Sequence, residues 1–241
     1  MYSAPCNLLA FDTSTERLSV ALCRGEQRWQ HSGAGGATAS AQLLPVIQGL
    51  MAQAGMQWSD LQAIVFGRGP GSFTGLRTAC SVAQGLAFGA KMPVLPLDSL
   101  LAVAEDARQR HGCTQVLAAL DARMNQVYCA RYAYRDGTWV ELDAPALASP
   151  ESLHLEAQEV LVGNVEEVYG ARLGPKLRIV QAWPEAAAML RLAPLLLAQG
   201  RAVSAAEAQP LYVLDKVAQT TAERQLASAA TGTAKTALAS P

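Results

Sequence analysis

Leu9-Ala10-Phe11-Asp12-Thr13-Ser14-Thr15 is the stretch from which the fold can be read. Residues 7–11 form a short apolar run, as a buried strand does, and the acid and hydroxyl residues that close it mark a turn. Leu18, Val20 and Leu22 then alternate with Ser19 and Ala21, the pattern of a second strand paired with the first. The arrangement returns later in the chain. Residues 116–120 are apolar and end in Asp121-Ala122-Arg123, with Asp121 standing 109 residues after Asp12. At that offset Leu117 matches Leu8, Ala119 matches Ala10, Val127 matches Leu18 and Cys129 matches Val20. Two copies of strand–Asp–turn–strand predict an internally duplicated α/β protein.

Between the copies, a polar, glycine-rich loop over residues 32–38 leads into a helix. Its apolar positions Leu43, Leu44, Ile47, Leu50, Met51 and Ala54 are spaced by three and four, and Gly55 ends it. Residues 63–66 read as a buried strand and feed Gly67-Arg68-Gly69-Pro70-Gly71-Ser72-Phe73-Thr74-Gly75. A helix over 76–88 follows, with Ala79, Ala83 and Ala87 on one face. Residues 93–95 suggest a short strand, and Asp98 or Ser99 a cap for the helix bearing Leu100, Leu101 and Ala104. Beyond the second copy, residues 160–163 read as a strand, and Pro184 and Glu185 open a helix to 192 that Pro194 should kink or restart. Residues 210–214 are the last extended element. The expected organisation is one subdomain over 1–103, a second over 104–219, and a disordered Ala/Ser/Thr-rich tail over 220–241.

Composition narrows the function. Apolar residues make up 51% of the 241 and charged ones 16%, as in a globular protein, and the net charge of −1 offers no basic field for RNA bound without help. Five scattered cysteines with no C-x-x-C pair fit reduced thiols in the cytoplasm. Asp12 and Glu16 come too early for a secretory leader, and the apolar stretch 186–198 carries Arg191 and Pro194 and is too short to span a bilayer. His31, His111 and His154 share no helical ligand spacing, so no metal site is expected.

The glycine loop has two readings. Before a helix it can present backbone N–H groups to an anion, with Gly69, Gly71, Ser72, Thr74 and Gly75 as the cradle. It can equally be a rigid turn that lets helix and sheet approach closely. It is no Walker A loop, and Pro70 and Thr74 stand where a hydrolase elbow needs glycine. Asp12 and Thr13 resemble the first phosphate turn of actin-like ATPases and sugar kinases, or else simply cap a hairpin. Asp121 and Arg123 hold the matching place in the second copy, without a phosphate turn. Leu43, Leu44, Ile47 and Leu50 on one helix, and Leu76, Ala79, Ala83 and Ala87 on the next, are core or a partner interface.

Residues 9–15 and 67–77, then Ala83-Gln84-Gly85-Leu86-Ala87, and later Leu120-Asp121-Ala122-Arg123 with Val127-Tyr128, resemble the TsaB family. Its members are bacterial tRNA threonylcarbamoyladenosine biosynthesis subunits, inactive glycoprotease-like paralogues of TsaD. The likeness runs from about residue 7 to 218 and departs from the family at Ala39, where histidine is common, and at Leu214, where arginine is frequent. It implies an actin-like, ribonuclease-H-like fold of two duplicated subdomains and a non-catalytic role. The partners it implies are a TsaD-like catalytic subunit, a TsaE-like ATPase and a second copy of the chain, with tRNA reached only through the complex. No cofactor is expected on this chain; ATP, magnesium and metal belong to the partners. An actin-like phosphotransferase or ATPase is the alternative, and a peptidase with Ser72 as nucleophile is the third.

Overall fold

The structure is a computed structural model that describes residues 6–175 and 177–213. Leu214 and the expected tail lie outside the described residues.

Two five-stranded mixed sheets are built to one plan. In the first, β1 (Cys6–Asp12), β2 (Arg17–Gly25) and β3 (Gln27–Ala34) run antiparallel to their neighbours, while β4 (Ala63–Gly69) and β5 (Val94–Asp98) extend the other side in parallel, giving the order β3-β2-β1-β4-β5. The second contains β6 (Gln115–Arg123), β7 (Gln126–Arg135), β8 (Thr138–Ala148), β9 (Val160–Gly163) and β10 (Ile179–Gln181), in the order β8-β7-β6-β9-β10. Strand for strand the two orders coincide, with β6 in the place of β1. The duplication suggested by Asp12 and Asp121 is therefore architectural.

Helices cover both faces of the first sheet. Leu9, Phe11, Ile64 and Phe66 point to α1 (Ala39–Ala54) and α2 (Phe73–Ala90); Leu8, Ala10, Val65 and Leu95 point to α5 (Ala186–Ala198). Sequence order and space part company here. α3 (Ser99–His111) crosses the boundary expected at 103/104 and packs Leu100, Val103 and Ala107 on the second sheet. α5, although late in the chain, returns to the first sheet because the small residues Ala10, Ala21 and Ala63 leave a face there for Met189 and Leu190 to cover. The short α4 (Val165–Tyr169) closes the far face of the second sheet.

Three local expectations are corrected. Residues 32–34 belong to edge strand β3, whose side chains face mostly water and so carry no alternating apolar signal. α2 starts at Phe73 rather than 76, capped by the Ser72 hydroxyl, which accepts from the Gly75 N–H at 3.4 Å. α5 runs to Ala198 rather than 192, with Pro194 inside it rather than restarting a helix; its missing N–H leaves the Leu190 carbonyl without its helical partner.

Candidate functional site

Asp12 ends β1 with both carboxylate oxygens occupied. Oδ1 accepts from the Ser14 N–H at 2.7 Å and the Ser14 hydroxyl at 2.6 Å; Oδ2 accepts from the Ser99 hydroxyl, the first residue of α3, at 2.7 Å. The side chain is buried, and burial pushes its carboxyl up to about 6, with the Ser14 and Ser99 bonds pulling it back and nearby Glu185 adding to the rise. Both carboxylate oxygens are thus engaged within the fold.

The glycine loop packs closely against the Asp12 turn. A Cβ on Gly67 would overlap the Asp12 carboxylate, one on Gly75 would overlap the Thr13 carbonyl oxygen, and one on Gly71 would sit 2.5 Å from the Ser14 carbonyl oxygen. Thr13 Oγ1 donates to the Gly75 carbonyl at 2.7 Å, and the Ser72 N–H donates to the Ser14 carbonyl at 2.7 Å. The loop between β4 and α2 is thus laid directly on the turn between β1 and β2. Of the loop's N–H groups, that of Ser72 is taken by the Ser14 carbonyl and that of Gly75 by the Ser72 hydroxyl, and the close approach of Gly67, Gly71 and Gly75 to the turn fills the space an anion would need between them. Gly69, at φ 115° before a cis peptide to Pro70, receives the returning chain instead: the Leu211 N–H donates to the Arg68 carbonyl at 2.6 Å. Of the seven candidate residues for anion binding, Asp12, Thr13, Gly71 and Gly75 and the Ser72 N–H serve the contact between loop and turn, and Gly69 the contact with the returning chain. Ser72 and Thr74 alone remain exposed, at the wall of a cleft of about 420 Å³.

That cleft brings the two copies together. Asp121 and Arg123 face Ser72 and Thr74 across it, as the shared plan requires. Asp121 Oδ1 accepts from the Arg123 N–H at 2.8 Å and the Tyr169 hydroxyl at 2.7 Å, and the Arg123 guanidinium lies 3.3 Å from Oδ2. Among the described residues no histidine lines the cleft; its carboxylates are those of Glu16 and Asp121. Among the described residues no three His, Cys, Asp or Glu side chains gather as metal ligands, and no helix is long and apolar enough to cross a membrane. Asn164, whose side-chain oxygen accepts from the Asp121 N–H at 2.9 Å, was missed by sequence reading, as was Ser99 as a partner of Asp12. Each meets its aspartate only across the fold.

The expected interface residues need correction. Leu43, Ile47, Leu50, Leu76, Ala79, Ala83 and Ala87 are all 6% exposed or less and pack in the core of the first subdomain. Small residues at Ala79, Ala83 and Ala87 let α2 approach its own sheet, not another molecule. A bulky charge at Ala83 would therefore break this core rather than report on pairing. Leu44 alone faces out, at 40% exposure; on α2 the outward side carries Phe88, 82% exposed, beside Gly85 and Gly89.

The burial of Asp12 has a measurable consequence. Its carboxyl is raised on folding, so its contribution to stability is complete below about pH 3.8 and is lost as pH rises through about 6. Asp12→Asn keeps the Ser14 bonds through Oδ1, while Nδ2 can donate to the Ser99 hydroxyl. The stability difference between variant and parent is expected to move in the variant's favour by about 2 kcal/mol between pH 4 and pH 7 in urea titrations. Parallel curves would mean that Asp12 is open to water and would restore it as a candidate catalytic acid.

Comparison with known proteins agrees with this geometry. Residues 36–230 match a family model described as TsaD, tRNA N6-adenosine threonylcarbamoyltransferase. The chain is 36% identical over 221 residues to the tRNA threonylcarbamoyladenosine biosynthesis protein TsaB of Escherichia coli K12, covering 88% of this chain and 96% of that one. The Haemophilus influenzae protein of the same name is also 36% identical, over 87% of this chain and 94% of its own length. Among solved structures, YeaZ from Pseudomonas aeruginosa superposes with a TM-score of 0.80 at 35% identity, over 86% of this chain and all of that one. A second, described as an uncharacterized protein with similarity to peptidase YEAZ from Pseudomonas aeruginosa, gives 0.79 at 36% identity, over 87% of this chain and all of that one.

Proposed function

The chain belongs to the TsaB family of tRNA threonylcarbamoyladenosine biosynthesis proteins, and from that premise we propose that it is a partner subunit with no reaction centre of its own. In this reading it pairs with a TsaD-like transferase and assists a TsaE-like ATPase in the cytoplasm. Together they form threonylcarbamoyladenosine at position 37 of tRNAs that read codons beginning with A. ATP, magnesium and metal sit on the partners, and tRNA is reached only through the assembly.

The observation that carries the reading is the close contact between the glycine loop and the Asp12 turn, which fills the space a phosphate would need between them. The exposed side of α1 and α2, with Leu44 and Phe88, is the face offered to the transferase, or to a second copy when the transferase is absent. Against a phosphotransferase stands the engagement of both Asp12 oxygens by Ser14 and Ser99, and against a Ser–His peptidase the lack of a histidine among the described residues of the cleft around Ser72.

Cells lacking this gene should lose threonylcarbamoyladenosine from their tRNA, read by mass spectrometry of digested nucleosides. The wild-type gene and a Ser72→Ala version should both restore it, the latter after losing about 1 kcal/mol of helix capping. Unchanged modification in the deletion strain would refute the assignment, and failure of a folded Ser72→Ala protein would bring back the peptidase.

A further inference from the structure

Four large apolar side chains sit in water at the mouth of the inter-subdomain cleft. Phe73 is 56% exposed, Met124 84%, Val168 51% and Tyr212 39%. The first and last line the 420 Å³ cleft, and the other two line an adjoining hollow of about 490 Å³ that shares Asp121 and Arg123 with it. The strip therefore runs from α2, across the returning chain, to the β6–β7 turn and α4, touching both subdomains.

Two features mark it as a built surface. Arg123, Met124 and Asn125 are consecutive non-glycine residues at φ 64°, 48° and 62°, a left-handed run that costs backbone energy yet buries nothing at Met124. It is held by the Arg123 N–H on Asp121, by Asn125 Oδ1 accepting from Arg172 at 2.8 Å, and by the Tyr169 hydroxyl on Asp121. At the other end Phe73 and Tyr212 stack at 5.5 Å, and the Arg77 guanidinium lies 3.8 Å above Phe73, donating to the Tyr212 hydroxyl. Among the described residues Arg77 has no carboxylate within ion-pair distance. Large apolar groups held exposed around two adjoining hollows signal contact with another molecule.

Charge selects the kind of molecule. Arg77, Arg123 and Arg172 along the strip are balanced by Glu16, Asp121 and Glu151, which leaves no basic field for a phosphate backbone. Of these three guanidinium groups, Arg77's is the one with no acid among the described residues, and it asks for a single carboxylate. We propose that the strip is a docking surface for a segment of a partner protein that presents an acidic side chain beside large apolar ones. The acid pairs with Arg77, and the apolar groups cover Phe73, Tyr212, Met124 and Val168. This rests on the reading of the chain as a partner subunit and adds a second contact to it. Phe73 and Phe88 lie fifteen residues apart on one helix, about 22 Å, so the strip and the outer face of α1 and α2 can be occupied separately. Because the strip bridges both subdomains, its occupant would also hold the cleft at one width.

The test uses the full chain in its own cells, with a photo-crosslinking amino acid in place of Met124 in one strain and of Phe88 in another. Adducts at position 124 are expected to map, by mass spectrometry, to a protein peptide with an acid next to large apolar residues. They should fall at least tenfold with Arg77→Glu, and also with Arg77→Ala, which removes the cation without adding charge, while melting temperatures stay unchanged. No adduct at 124, an adduct to RNA, an adduct to a basic or wholly polar peptide, or indifference to both Arg77 variants would overturn the proposal. Adducts with the transferase at position 88 alone would leave the partner-subunit reading standing; their absence, together with normal tRNA modification in the deletion strain, would remove that reading itself.

Discussion

Gly75→Ala is expected to destabilise the fold by about 4 kcal/mol or more, enough to leave little soluble protein. The added methyl would have to occupy the place of the Thr13 carbonyl oxygen. It cannot do so unless α2 lifts from the β1–β2 turn, and lifting breaks the Thr13–Gly75 and Ser72–Ser14 hydrogen bonds together. The obstacle is backbone on both sides, so no side-chain rotation relieves it. Gly89, near the other end of the same helix, supplies the opposite sign: nothing lies within 4 Å of its added Cβ. Gly89→Ala should therefore gain up to about 1 kcal/mol from helix propensity. Thermal and urea unfolding of the pair would separate the two effects. A folded, stable Gly75→Ala protein would mean that the loop stands away from the turn, with room for an anion after all.

Phe88→Lys is expected to weaken association with the transferase at least 100-fold while leaving the fold intact. A phenylalanine that is 82% exposed contributes little to its own core, so its removal should cost the monomer almost nothing. Lysine is the informative replacement because position 88 lies in the last turn of α2, where a cation suits the helix dipole. In a buried contact the same lysine loses an aromatic anchor and adds an unpaired charge, and such anchors commonly account for 2–4 kcal/mol, or roughly 30- to 1,000-fold. Phe88→Leu should keep most of the affinity. Titration calorimetry of each variant against the transferase measures the difference directly, and equal affinities for the two would place the contact elsewhere.

The sequence showed the fold best where strands are buried. β1, β2, β6 and β7 were legible because alternation and the Asp12/Asp121 echo are written into neighbouring residues. β3 and β8 were not, because edge strands facing water need no apolar pattern. Local spacing identified the glycine loop as special but was silent on what it touches. Its partner, the Asp12 turn, lies more than fifty residues earlier, and Ser99, which closes that aspartate, is 87 residues from it. The stripe of Ala79, Ala83 and Ala87 shows the same limit. A row of small side chains says that something comes close, and only the fold shows that it is the helix's own sheet. Leu44 was named as an interface candidate, but Phe88 escaped notice because it belongs to no apolar periodicity of α2.

The most direct measurement is the mass, by size-exclusion chromatography with light scattering, of the full chain mixed with the TsaD-like transferase of the same organism. The account predicts one species with the summed mass of the two proteins, lost when Phe88→Lys replaces the wild type. Two proteins that elute separately, with the transferase folded and with ATP, magnesium and the TsaE-like ATPase supplied, would contradict it.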